Sequence, residues 1–518
     1  MSSASPIPAS IAELLARDTG SIPALIHQHA VERPDHVALI AGDDRLSYAA
    51  LDAQMDRVAA ALQRDGATGT VAIAAASSIA YVAVYLGAVR AGVSVAPLQP
   101  SVTPSSLRAM IEDAGASHVF VDAAAAGALG AVAAPLIGLD GSSGGRTFDA
   151  WLAPAGTAAR PVALDPDAAF NLIYSSGTTG TPKGIVQSHR MRWAHVRRAG
   201  VFGYGPAAVT LVSTPLYSNT TLVSLLPALA LGGAVVLMPR FDAGEVLRLA
   251  ARHRVSHAMF VPVQYERVLA HDAFDQTDLS SFRMKFCTSA PFSAARKAEV
   301  LRRWPGGLIE YFGMTEGGGT CVLVAHESPD KLHTVGRAAE GHDLRVIDDA
   351  GHELPPGAVG EIVGASPAAM MTGYHRQPEA TAATEWRDAT GKRFIRTGDL
   401  GSFDGDGFLT IVGRKKDVII SGGFNIYPVD LEAALAAHPA VADVAVVGVP
   451  SPRWGETPIA FVVLRAAAEP DELRAFANER LGRTQRVAEV VVVASLPRSA
   501  IGKVLKRELR ADYAARQT

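Results

Sequence analysis

Apolar and polar positions along this chain alternate between a period of two and a period near 3.6, and that alternation predicts the fold. Residues 71–75 form an apolar run, 78–91 carry helical spacing, and 92–97 return to an apolar run. This is a strand–helix–strand unit of the kind that builds a parallel sheet. Before it, Ser10 stands where it would cap a short helix over 11–16. Residues 37–40 and 45–48 flank the turn Ala41-Gly42-Asp43-Asp44 as a hairpin, and 49–64 read as a helix. Strands are predicted at 170–174, 210–215, 234–238, 257–261 and 284–288, with helices at 188–198, 222–230 and 245–253. After Gly341 the pattern shifts to short β segments at 344–347, 360–363 and 407–412, separated by Gly, Pro and Asp turns. The charged break Gly413-Arg414-Lys415-Lys416-Asp417 ends that region. Beyond it, 430–437, 444–449, 459–464, 471–480 and 490–493 alternate helix and strand in about one hundred residues, enough for a core of their own. The alanine- and glycine-rich stretch 122–135 is assigned no role, and no internal repeat is found.

Composition narrows the class. At 518 residues the chain is too long for one core, and its 48% hydrophobic against 19% charged content is that of a globular protein. A net charge of −3 gives no polycation for nucleic acid. The helix at 188–198 carries Arg190, Arg192, Arg197 and Arg198 beside Trp193, and is read as an ordinary solvated basic face. Two cysteines, Cys287 and Cys321, exclude a disulfide framework, lack neighbours for a zinc site, and fit a reducing compartment, hence the cytoplasm. The first eighteen residues have neither the basic n-region nor the apolar core of a signal peptide. The longest apolar run, 225–239, is broken by Pro227, Gly232 and Gly233 and is too short to span a bilayer, so no transmembrane segment is expected.

The densest chemistry lies at 171–186, NLIYSSGTTGTPKGIV. A short apolar strand runs into Ser175, Ser176, Gly177, Thr178, Thr179, Gly180, Thr181, Pro182, Lys183 and Gly184. Small residues leave backbone N–H groups uncovered, glycines permit turns that converge them, and five hydroxyls and an ammonium add further donors. Such a loop suits a polyphosphate. It is not the G-x-x-x-x-G-K-[ST] loop of nucleotide-hydrolysing proteins.

The loop resembles, nearly letter for letter, the signature of the adenylate-forming superfamily: acyl- and aryl-CoA synthetases, peptide-synthetase adenylation domains and luciferases. The likeness extends through Arg45-Leu-Ser-Tyr-Ala-Ala-Leu51, Val89 to Pro97, Tyr311-Phe-Gly-Met-Thr-Glu316, Gly360-Glu-Ile to Met371-Thr-Gly-Tyr374, Arg396-Thr-Gly-Asp-Leu400, Gly413-Arg414 to Gly423, and Pro497-Arg-Ser-Ala-Ile-Gly-Lys503, in the family order. It is most like a free-standing acid–CoA ligase. The resemblance implies an α/β fold: a large N-terminal domain, 1–414, of two α/β subdomains and a small β-rich one, and a small mobile α+β domain, 415–518, turning on a hinge at Lys416.

It also implies the chemistry. A carboxylate attacks the α-phosphorus of ATP to give an acyl-adenylate and pyrophosphate, and a thiol then displaces AMP. ATP, Mg²⁺ and coenzyme A are the expected cofactors. Lys503 would supply positive charge between carboxylate and α-phosphate, Thr315 would lie beside that phosphate, and Glu316 would hold the Mg²⁺. Asp399 and Arg414 would grip the ribose. Phe312, standing where relatives commonly have Tyr, would stack on adenine, with Ala290 and Gly313 nearby. Gly422 and Gly423 would line the thiol tunnel, and Trp454 would pack on the pantetheine arm. The acid pocket would draw on Tyr217, Ser218, Asn219, Val261, Ser289 and Gly313, an uncharged set that points to a medium-chain fatty or aromatic monocarboxylic acid. Ser218 departs from the histidine common in relatives, and Arg483-Thr-Gln-Arg486 from a Tyr-Lys pair. No carrier sequence follows the Lys503 block before Thr518, which favours coenzyme A. A free-standing loader of a carrier protein in trans and a non-catalytic nucleotide-binding relative are the alternatives. A homodimer is compatible with all three.

Overall fold

The computed structural model describes residues 7–130, 132–141, 145–175, 183–482, 485–499 and 502–517. They divide into two compact units. The first comprises most of residues 1–332 with 339–343 and 365–395, and the second comprises 333–338, 344–364 and 396–518.

Two mixed sheets organise the first unit. One runs Gly373–Tyr374, Lys183–Ser188, Ala169–Ser175, Ser94–Pro97, Thr70–Ala74, Ala116–Val121, Leu136–Gly138 and Arg146–Thr147. It is parallel from Ala169–Ser175 onward and antiparallel on the Lys183–Ser188 side. The other includes, side by side, Cys321–Val324, Gly307–Phe312, Met284–Cys287, His257–Phe260, Val209–Val212, Ala234–Leu237, Val37–Ala41 and Asp44–Ser47. The helix Ile79–Arg90 is buried at every position from Tyr81 to Val89, so its sequence carries no polar face. It shares one apolar core with helix Tyr48–Arg64 and with strands of both sheets. Gly87 lets those two helices close up, because a Cβ there would lie 2.6 Å from Cβ of Val58.

The predicted elements are present, with ends moved by no more than four residues. Two expectations fail. Ser10 is no cap: the helix Ala9–Leu15 begins after Pro8 without a capping side chain, and the Ser10 hydroxyl donates to Glu32 at 2.5 Å. The helix His189–Ala199 is not a solvated basic face either. Ser188 caps it, but Arg192 is 1% exposed, because its guanidinium finds amide oxygens to bond inside the unit.

In the second unit, Leu409–Arg414 pairs antiparallel with the stretch from Asp399 to Phe403. The chain then builds a sheet in the order Phe424–Ile426, Ile419–Ser421, Gly455–Leu464, Val441–Ser451, with Glu489–Val492 parallel to Gly455–Leu464. Alternation along the strands fills both faces. Val446, Ala460 and Val462 meet Leu431, Leu435 and Leu473 of the helices Pro428–Ala436 and Pro470–Arg480, while Val447, Val449 and Phe461 meet Leu509 of Lys506–Gln517.

Candidate active site

The first unit carries both ends of the loop expected to bind phosphate, the segments expected to line the acid pocket, and the Thr315-Glu316 motif. Strands Ala169–Ser175 and Lys183–Ser188 pair with Tyr174 opposite Gly184 and Ser175 opposite Lys183, so the two ends of the loop are held side by side. Ser176, Gly177, Thr178, Thr179 and Gly180 lie outside the described residues. Nζ of Lys183 sits 5.1 Å from the ring centroid of Tyr374, and the Tyr374 hydroxyl donates to Oε1 of Glu316 at 2.9 Å. Burial, then the Glu316 charge, lifts the Tyr374 phenol well above its ordinary range, so it stays protonated as a donor. Lysine, phenol and carboxylate thus form one chain from the end of the loop to Glu316. In the sequence Tyr374 is only the end of a motif, and its role as the link is visible only in the structure.

Glu316 is also fixed through its backbone, whose carbonyl accepts from Met371 N at 2.8 Å. Next to it Gly317 has φ +74°, and a Cβ there would meet the Ala369 oxygen at 2.1 Å, so only glycine allows this approach. A hard cation fits the carboxylate. It is half-buried, one oxygen holds a phenol, and among the described residues no cation pairs with it. Mg²⁺ takes one or two protein carboxylates and completes its shell with phosphate and water oxygens. Among the described residues there is no cluster of three or more metal-binding side chains, which that mode does not require.

Around the acid segment, Ser218 is buried and precedes the helix Asn219–Ala230, donating no side-chain cap. The Thr220 and Ser289 hydroxyls lie 2.7 Å apart, which brings two of the expected wall segments together. Ser289 holds φ +80°, a strained left-handed conformation of the kind that persists where surrounding structure enforces it. Val261 is buried, its N–H donating to Gln264 at 3.1 Å. Tyr217 is half-buried, and burial pushes its phenol up to about 12. Phe312 and Ala290 are half-buried and Gly313 is exposed.

Behind this wall stands a group that sequence reasoning passed over. Gln187 Nε2 donates to the Thr315 carbonyl at 2.7 Å and to Asn219 Oδ1 at 3.3 Å. Its Oε1 accepts from Asn171 Nδ2 at 3.0 Å and from Arg192, whose Nε also donates to Asn171 Oδ1 at 2.8 Å. Asn171 and Gln187 are cross-strand partners. Two amides opposite each other on otherwise apolar strands were the available signal.

The second unit gathers Asp399, Arg414, Lys416 and Lys503. Nε of Arg414 donates to Asp399 Oδ1 at 2.8 Å across paired strand positions. Burial lifts the Asp399 carboxyl above its ordinary range, while Arg414 and then Lys503 pull it back. Burial lowers Lys503, Arg414 lowers it further, and Asp399 opposes them. Ser499 N donates to the Lys503 oxygen at 2.8 Å, and Arg498 ties the Gly502 carbonyl to Asp443 with two bonds of 2.6 Å. Lys416 sits in the single turn Lys415–Asp417, whose ends are pinned by Lys415 to Asp349 at 2.8 Å and Asp417 to Arg510 at 3.0 Å.

Gly422 and Gly423 form the turn between Ile419–Ser421 and Phe424–Ile426, with φ of +57° and +83°. Gly422 N donates to the Trp454 carbonyl at 2.8 Å, and a Cβ on Gly422 would sit 3.1 Å from the indole. Backbone geometry demands glycine at both positions whatever else they line. Trp454 is half out of the protein, with Arg453 stacked on its ring at 4.7 Å.

Comparison with known proteins identifies the family. Residues 26–375 match the AMP-binding enzyme family, and 430–503 match its C-terminal domain. The chain is 33% identical to 4-coumarate–CoA ligase 5 of rice, covering 95% of this chain and 94% of that one. It is 35% identical to feruloyl-CoA synthase of an Amycolatopsis species, covering 93% and 96%. Among solved structures, ATP-bound MatB from Rhodopseudomonas palustris superimposes with a TM-score of 0.84 at 30% identity over 96% of this chain and 99% of that one. The chain belongs to the AMP-binding enzymes of the adenylate-forming superfamily, and it is an acid–thiol ligase of their AMP-forming kind.

Proposed function

We propose that this ligase activates a monocarboxylic acid with an apolar body, aromatic or medium-chain, and passes it to coenzyme A. The observation that carries the acid class is the wall around Tyr217, Thr220, Val261 and Ser289. It offers hydroxyls and apolar surface, and residues 217–221, 260–262, 289–291 and 313 include no acid to pair an α-ammonium. An unpaired buried charge is costly enough to exclude such substrates. The rice and Amycolatopsis relatives carry names of aromatic-acid ligases.

In the first step a carboxylate oxygen bonds to the α-phosphorus of ATP as the bond to pyrophosphate breaks. Two anions meet, so positive charge at the reacting atoms is the main demand on the protein. Lys503 answers it, Lys183 steadies the leaving phosphates, and Asp399 with Arg414 holds the ribose. Glu316 would hold Mg²⁺, which would supply positive charge to the phosphates. In the second step the thiol sulfur bonds to the acyl carbon, its proton is lost, and AMP leaves. Residues 415–518 turn at Lys416 between the steps, exchanging Lys503 for Gly422, Gly423 and Trp454. The cytoplasm is the compartment proposed for the reaction, a reading supported by two free, buried cysteines, Cys287 and Cys321.

Pyrophosphate release and thioester formation across a panel of acids, with and without coenzyme A, test this reading. Octanoate- and benzoate-type acids are expected to lead. A kcat/KM for malonate or an amino acid that equals theirs would overturn the acid class, and transfer to a carrier protein but never to coenzyme A would overturn the acceptor.

A further inference from the structure

Helix His189–Ala199 carries near its end Arg198, a partly accessible cation with no carboxylate partner among the described residues. Its one polar contact runs from Nη1 to Nε2 of His342. The histidine cannot satisfy that nitrogen. Its Nδ1 accepts from Thr320 N at 3.0 Å, so the proton of the neutral ring belongs on Nε2, and there one N–H meets another. Protonating the ring would not relieve the conflict, and burial, then the Arg198 charge, holds His342 down to about 4. Nε and Nη2 of Arg198 bond no described residue and remain open to water.

The pair stands beside the expected acid wall, within the first unit. Cys321 is the strand partner of Phe312, which brings Thr320 next to Gly313: its Oγ1 lies 3.4 Å from where a Cβ on Gly313 would be. The Thr288 hydroxyl donates to the Tyr311 carbonyl at 2.9 Å, tying the segment that leads into Ser289 to the same strand. Gly313 is exposed, and Tyr311, Phe312, Thr320, His342 and Arg198 are all partly accessible, so this strip is surface and not sealed core.

Two donors turned toward one another are completed by an acceptor oxygen placed between or beside them, and a guanidinium favours an oxygen that carries charge. A bridging water satisfies the donors but leaves the charge of Arg198 unanswered. We infer that Arg198 and His342 form a subsite for an acceptor oxygen at the end of the substrate remote from its reacting carboxyl. This deepens the proposed function and rests on it: the acid has an apolar body and a polar far end. A site that hydrogen-bonds such an oxygen discriminates sharply against the analogue lacking it, since its own donors are then left unpaired.

The test compares kcat/KM for thioester formation from 3-phenylpropionate and its 4-hydroxy analogue, and from octanoate, 8-hydroxyoctanoate and octanedioate. The wild type should prefer an oxygenated acid over its parent by at least about tenfold, the worth of one hydrogen bond to a charged group. Arg198→Met should shrink that ratio about tenfold, and Arg198→Lys, which keeps the charge, should restore part of it. Because Arg198 satisfies no acceptor of the protein, Arg198→Met should melt no lower than the wild type. Preference for an oxygenated acid that Arg198→Met loses supports the subsite, and the winner names hydroxyl or carboxylate as its ligand. If octanedioate wins, the subsite stands while the monocarboxylic reading falls. Equal kcat/KM for parent and oxygenated acids, or a preference that Arg198→Met leaves untouched, overturns the subsite but leaves the ligase reading intact. A clear fall in melting temperature for Arg198→Met overturns it too, because the arginine then serves the fold. No pyrophosphate from any acid overturns both.

Discussion

Lys297 and Arg192 are both about 1% exposed in the same unit, yet they are treated in opposite ways. Lys297 faces the buried carboxylate of Glu310 and donates to the Leu332 carbonyl at 2.8 Å. Burial pushes Glu310 up and the lysine beside it opposes that rise. Lys285, equally deep, donates to the carbonyls of Trp304, Pro305 and Gly306 at 2.6–3.1 Å, one for each of its protons. Both cations are matched: Lys285 ties its strand to the chain just after helix Ala294–Arg303, and Lys297 ties that helix to Glu310 on the next strand. Arg192, close to the acid segment, retains an unused donor. If saturation separates cations that serve the fold from cations that face chemistry, Lys503 in its proposed role, with no carboxylate bonded to its ammonium among the described residues, belongs with the second kind.

The largest test of that division is Lys297→Met. It leaves Glu310 buried without its partner, and breaking a buried pair this way costs about 3–5 kcal/mol. Urea unfolding should register that loss, and Lys297→Met with Glu310→Leu should recover most of it. A single variant as stable as the wild type would dissolve the comparison.

Lys503→Ala should do the reverse, leaving the unfolding midpoint in place and slowing adenylate formation ~10²–10³-fold, about 3–4 kcal/mol of barrier. Acyl-AMP supplied from outside should still become thioester. Single-turnover kinetics of each half-reaction decide this, and equal slowing of both halves would refute the exchange of faces. Trp454→Ala is expected to act on the other half alone: near-normal pyrophosphate release, with thioester formation from the same acyl-AMP down about tenfold, ~1.4 kcal/mol.

The smallest effect concerns pH. A lysine whose pKa is lowered gives up its proton earlier as pH rises, so the charge needed for adenylation is present below that pKa and lost above it. Adenylation should therefore decline on the alkaline side before the ~10.4 of a free lysine, with burial as the main cause. The thioester half should not share that limb. An adenylation limb at or above the free-lysine value would place Lys503 in open water.

Much of this was readable from the chain. The alternating periods placed the strands and helices of both units, because a strand buried on both faces is a short apolar run and few other segments are. The phosphate loop stood out for its small residues ending in Pro182-Lys183-Gly184, although its middle lies outside the described residues. The saturated cations did not stand out. Lys285 and Glu310 each interrupt an apolar strand, and a lone charge in such a run reads as a strand end or an exposed position until its partner is known. That partner comes from elsewhere in the chain, which periodicity does not encode. Arg192 was misread for a similar reason. Four arginines in eleven residues signal solvent, yet position 192 shares its helix face with His189, Val196 and Ala199, all buried.

Gln187 has a thermodynamic consequence. One carboxamide bonds both Asn219, of the proposed acid wall, and the carbonyl of Thr315, of the proposed nucleotide site. A ligand that draws Asn219 into a new position moves the donor that Thr315 depends on. Linkage makes any such effect symmetric: whatever factor the acid applies to the affinity for ATP, ATP must apply to the affinity for the acid. The order in which the two substrates arrive then changes the route to the ternary complex but not its stability.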